Sequence, residues 1–175
     1  NFSDLAGTIG GTAADNWGTF VGSTLNFVDS DSSGGAFAVI GAGNNFNSVD
    51  FTLDTLGYGA LTLTYATRGT GTGYSTQTWS YSADGVHFTA LPAIASNKTS
   101  TWSTTTVDFS AIDALTNQAT VDLRVTFDGA TSTGGNNRID NLQINAAQSV
   151  PTPEPASLSI LAMGAAALAA RPKRS

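Results

Sequence analysis

Cysteine is absent from all 175 residues, so no disulfide framework, thiolate zinc site or cysteine nucleophile is available. Stability must come from packing. Histidine occurs once, at His87, which rules out a multi-histidine metal site, and glutamate occurs once, at Glu154. Only 11% of residues are charged, and positive charge is scarcest of all. Three of the seven Lys and Arg residues lie in the last five positions, which leaves residues 1–150 with four basic and twelve acidic residues, a balance of −8. Such a surface repels phosphate backbones, so nucleic-acid binding is not expected. A basic, apolar leader and an initiating Met are missing at Asn1. The simplest expectation is a leader already removed; the alternative is an arbitrary start.

What remains is rich in Gly, Ser and Thr and alternates with period two. Val49, Phe51 and Leu53 alternate with Asp50, Thr52 and Asp54. Leu61, Leu63 and Tyr65 alternate with Thr62, Thr64 and Ala66. Val121 to Asp128 repeats the pattern over eight residues. Each reads as a strand with one face inward and one in water. Trp79 and Tyr81 share a phase, as core or sheet-face residues, and Ala83-Asp84-Gly85 turns the chain toward Val86-His87-Phe88 as a hairpin. Further strands are expected at 17–21, 25–28, 36–40, 104–109 and 139–146. A helical turn capped by Ser110 is expected over 110–115. Nine or ten short antiparallel strands over residues 1–147 predict one all-β domain, a β-sandwich of jelly-roll type.

The C-terminus is built differently. Residues 148–156 form a Pro-rich linker, 157–170 are uncharged and apolar, and 171–175 are basic. Fourteen helical residues reach only ~21 Å at ~1.5 Å each, short for a bilayer but extendable by the flanking residues. With apolar and small residues all round, a short transmembrane helix is favoured over a core helix. Arg171, Lys173 and Arg174 then mark the cytoplasmic end. Pro153-Glu154-Pro155, Ala156-Ser157-Leu158, the apolar run and the basic cluster together resemble the PEP-CTERM sorting signal. That resemblance implies export across the inner membrane of a Gram-negative bacterium. It also implies recognition at Pro153, Glu154 and Pro155 by an exosortase, a membrane-embedded cysteine transpeptidase that cuts nearby. The chain is then a substrate rather than an enzyme.

The body has a resemblance of its own. Residues 65–71, 79–88, 107–110 and 136–144 look like the jelly-roll module of bacterial surface proteins, an architecture shared with carbohydrate-binding modules and MAM-type adhesion domains. The resemblance implies a binding or structural role, often with one structural calcium ion. Asp140 bears on that independently. If the last strand stays in phase, Asp140 shares the core-facing side of Leu142 and Ile144, and a bare carboxylate there costs several kcal/mol. It then pairs with Arg138, closes a turn by hydrogen bonds, or binds calcium with the oxygen-rich loop at Asp29 and Asp31.

No catalytic constellation emerges. His87 sits beside a turn, no nucleophile elbow places a serine, and the Gly69-Thr-Gly-Thr-Gly run lacks the helix and lysine of a phosphate loop. Trp17, Trp102, Tyr58 and Tyr74 lie beside Gly, Ser or Thr clusters where loop exposure would let a ring stack on a sugar. Trp102, Tyr74 and Trp17 are the candidates for ligand contact. Two functions are therefore expected in competition. One is a non-enzymatic, exported protein of the cell envelope or extracellular matrix. The other is a carbohydrate-binding or adhesive module with a specific glycan ligand.

Overall fold

A computed structural model describes residues 7–12, 17–28 and 34–149. Eleven strands are formed among them: β1 (Gly7–Gly10), β2 (Trp17–Val21), β3 (Gly35–Ile40), β4 (Ser48–Leu53), β5 (Tyr58–Gly69), β6 (Thr76–Ser82), β7 (Thr89–Ala90), β8 (Ile94–Ala95), β9 (Ser103–Phe109), β10 (Val121–Asp128) and β11 (Asn136–Gln148). They make two antiparallel sheets. One runs β1-β4-β10-β6-β7, with β8 also on β6; the other runs β2-β3-β11-β5-β9. The architecture is the all-β sandwich expected from the alternation, with jelly-roll character. The apolar C-terminal stretch and its sorting motif lie outside the described residues. No described helix is long and apolar enough to cross a membrane.

The alternation works as the pleat requires. Val121, Leu123, Val125 and Phe127 of β10 are all fully buried, while the residues between them are half-exposed. Facing them from the other sheet are Leu61, Leu63 and Tyr65 of β5 and Val107 and Phe109 of β9. Trp79 is the centre of this layer. Its ring stacks on Phe51 at 5.8 Å and meets Tyr65 at 5.7 Å and Phe109 edge-on at 6.5 Å. Its Nε1 donates to the Tyr65 hydroxyl (3.3 Å), which in turn donates to Gln77 Oε1 (2.5 Å). Hydrogen bonds thus link three large core side chains, leaving Gln77 Nε2 as a buried donor without a partner.

Several expectations are corrected. Residues 25–28 form no strand: Asn26 has φ 61°, and the segment is a turn bonded to β11. The hairpin after β6 returns at Thr89 rather than Val86, because Asp84 Oδ1 accepts the N–H groups of Val86 (2.9 Å) and His87 (2.8 Å) and holds both in the turn. Gly85 takes φ 72° there, a conformation suited to glycine. The turn after β9 is a short 3₁₀ helix, Asp113–Leu115, flanked by Ile112 with no side-chain cap. Ser110 instead donates its N–H to Asp108 Oδ1 (2.8 Å).

Candidate functional site

The two sheets differ in how their outer faces are finished. On the first sheet, Arg124 of β10 makes a bidentate pair with Asp50 of β4 (2.8 and 2.7 Å), and Phe88 covers the guanidinium at 3.7 Å. Thr52 donates to Asp122 Oδ1 beside it (2.5 Å). Charge and hydrogen bonds are matched within the protein.

The outer face of the second sheet is arranged otherwise. Across it runs a row of Phe20 on β2, Ala36 and Ala38 on β3, Arg138 on β11, Arg68 on β5, and Trp102 just before β9. Phe20 opposes Ala36, Arg138 opposes both Ala38 and Arg68, and Thr67 opposes Ser103, which brings Arg68 beside Trp102. Ala36 and Ala38 are small and fully buried, so the Arg138 side chain can lie across β3 and reach the Phe20 ring at 3.8 Å. Arg68 leans the other way and lies 5.6 Å from the centre of the Trp102 ring. The two guanidinium groups therefore diverge, each against an aromatic face. Burial and the Arg68 charge both push the Arg138 guanidinium below its ordinary pKa. Toward β9 the face continues as Thr64 opposite Thr106, Thr62 opposite Asp108 and Thr104 opposite Ala66, a surface of mostly hydroxyl groups. At ~4.8 Å per strand spacing the face is about 19 Å wide, room for several sugar rings.

Asp140 is not where an unbroken strand would put it. Its partner is Ala66, the next paired residue is Gln143 opposite Thr64, and Asn141 between them has φ 49°. One extra residue makes a β-bulge that reverses the alternation. Ile139 faces the core before it, Ile144 after it, and Asp140 points to the outer face. Its carboxylate accepts the N–H groups of Ser23 (2.5 Å) and Asn141 (3.1 Å). Asn141 Nδ2 donates to Ser23 O (2.9 Å) and Leu25 O (2.8 Å), while Asn26 Nδ2 donates to Asn141 O (2.8 Å). These bonds latch the 22–28 turn onto β11. Arg138 shares the outer face with Asp140 but forms no ion pair with it. Asp29 and Asp31 lie outside the described residues, and no cluster of three acidic or histidine side chains occurs among those described.

The aromatic candidates separate. Trp102 is half-buried in the row described above. Tyr74 is not available to a ligand: it is fully buried, packs on Phe127 at 5.3 Å, and its hydroxyl donates to Gly41 O at 2.6 Å. The loop before it is folded onto β11 so closely that a Cβ on Gly73 would come within 2.4 Å of Asn136 O, and this draws Tyr74 inward. Trp17 lies in β2 opposite Val39, and its side chain is outside the described residues. Phe20 and Arg68 were not singled out by the sequence, and Arg138 only as a partner for Asp140, because no local pattern states which residues meet across strands.

Two other places bring together groups capable of chemistry or binding. Ser82 Oγ donates to Asp84 Oδ1 (2.9 Å) and His87 Nδ1 lies 2.7 Å from Asp84 Oδ2. The aspartate stands between serine and histidine, whereas a triad needs the histidine in the middle to take the serine proton. The cluster is a turn. A cavity of about 230 Å³ opens beside the bulge between Phe37, Phe51, Ile139 and Leu142. Its lining is completed by Gly35 and by Asp140 and Asn141 of the bulge.

Residues 151–174 match the PEP-CTERM protein-sorting motif. No curated protein matches the chain. Among solved structures, the N-terminal CBM22-1–CBM22-2 tandem domain from Paenibacillus barcinonensis Xyn10C is similar at 11% identity and a TM-score of 0.51, over 83% of this chain and 44% of that one. The K2 cleaved adhesin domain of Lys-gingipain is similar at 14% identity and a TM-score of 0.50, over 79% of this chain and 89% of that one. These likenesses establish the fold alone, a jelly-roll sandwich.

Proposed function

We propose that the protein is an exported, non-enzymatic component of the cell envelope or extracellular matrix, and that its sandwich holds polysaccharide on the outer face of the β2-β3-β11-β5-β9 sheet. The export half rests on the sorting motif over 151–174. In this reading residues 157–170 enter the inner membrane of a Gram-negative bacterium, with Arg171, Lys173 and Arg174 on the cytoplasmic side. Exosortase then recognises Pro153, Glu154 and Pro155 and cuts near them.

The binding half is carried by one observation, the row from Phe20 through Arg138 and Arg68 to Trp102 on a sheet face lined with hydroxyl groups. Flat rings and planar guanidinium groups suit pyranose faces and hydroxyls. The matched solved structures, a pair of carbohydrate-binding modules and an adhesin domain, use the same fold. Affinity gel electrophoresis of the full chain in non-ionic detergent, with neutral and acidic polysaccharides in the gel, tests this half. At least one polysaccharide should retard the protein, and Trp102→Ala should weaken that retardation roughly fivefold, a loss of about 1 kcal/mol of stacking. Unretarded migration in every gel contradicts the binding half and leaves the purely structural envelope role.

A further inference from the structure

Arg68 and Arg138 stand directly opposite each other in the β5–β11 ladder, a placement in which like charges repel. A third cation is close in the chain's path. Lys98 sits in a loop tied to the same end of β5, with Asn97 Nδ2 donating to Thr67 O (3.1 Å) and Gly69 N donating to Thr99 O (2.9 Å). Three of the four cations of residues 1–150 thus collect at one end of one sheet, in a body that carries twelve acidic residues.

Arg124, the fourth, shows how this chain treats a cation that serves structure: Asp50 takes it with both oxygens. Neither Arg68 nor Arg138 has such a partner among the described residues. The Nε of Arg68 is buried without a hydrogen bond, and Arg138 has only the side-chain oxygen of Asn136, at 3.2 Å. Asp140, two residues along β11, directs both of its oxygens to backbone N–H groups. A guanidinium held away from water without a carboxylate partner is costly, and a ligand carboxylate meeting its remaining N–H groups would offset that cost.

Building on the polysaccharide-binding reading above, we propose that the ligand is an acidic polysaccharide whose uronate carboxylates are taken by Arg68 and Arg138, with Trp102 and Phe20 holding the guanidinium planes. A planar carboxylate matches the two-pronged guanidinium edge, and a chain with repeated carboxylates can meet both arginines in one row. A neutral glycan would leave both charges unmatched. The body's negative balance confines attraction to this local patch and excludes polyanions elsewhere on the surface.

The test measures binding of the full chain in non-ionic detergent to polygalacturonate, dextran sulfate and neutral xylan, at low and high salt. Polygalacturonate should bind best and weaken as salt rises. Arg68→Gln and Arg138→Gln should each lower its affinity tenfold or more, and Arg68→Lys should lose several-fold despite keeping the charge. Melting temperatures of the Gln variants should hold or rise, because a like-charge pair has been relieved. Polygalacturonate binding that is unchanged in both Gln variants overturns the proposal. So does preference for dextran sulfate, which would assign a sulfate ester instead. Binding to xylan alone overturns the acidic ligand while leaving polysaccharide binding intact, and binding to none of the three ends both.

Discussion

Buried tyrosines report the packing of single residues. Tyr65 and Tyr74 are fully buried, and that burial pushes each phenol up to about 12 from an ordinary value near 10. A folded-state pKa raised above the unfolded one contributes stability in full below pH ~10, and the contribution is lost as pH rises toward 12. Melting temperature should therefore be flat to about pH 9.5 and fall between 10 and 12, and a Tyr65→Phe/Tyr74→Phe variant should show a shallower fall. Phenolate absorbance from all four tyrosines rising together near pH 10 with the fold intact would contradict this. At this scale the sequence was partly legible. Trp79 is in the core, as its phase with Tyr81 allowed, but Tyr74 is core as well, although its glycine-rich neighbours suggested a loop tip. Composition near a residue says little about which way a loop folds back.

Strands carried the clearest signal, and the signal failed where an element is irregular. The alternation of β4, β5 and β10 is visible in the residues because each buries one face only. The bulge in β11 is not visible, since it depends on Asn141 taking a left-handed φ and on bonds to Ser23 and Leu25, more than a hundred residues away in the chain. That one extra residue turned Asp140 from an apparent core carboxylate into the acceptor that latches the 22–28 turn. Replacing it tests the latch. Asp140→Ala should cost about 1–3 kcal/mol in urea unfolding, because two backbone N–H groups lose their acceptor. The loss should be the same in calcium and in chelator. A loss seen only with calcium would instead put a metal ion at Asp140. The row of Phe20, Arg138, Arg68 and Trp102 escaped the sequence for a related reason: register across strands decides who meets whom, and no local pattern states it.

The whole molecule joins two parts with opposite charge habits, an acidic sandwich and a basic tail end. The tail's message was legible because a sorting motif is read as linear sequence, and residues 151–174 match it without reference to the fold. The sandwich's message was not, because its candidate surface exists only once five strands are side by side. On the function proposed above, the two parts belong to a protein delivered to the outside of the cell that holds glycan there. The delivery is the claim on which the rest depends, and intact mass of the protein recovered from the envelope and medium of its native cell tests it most directly. The recovered chain should end near Pro153-Glu154-Pro155 and lack Arg171 to Ser175. A cytosolic chain with the mass of the complete tail would contradict it.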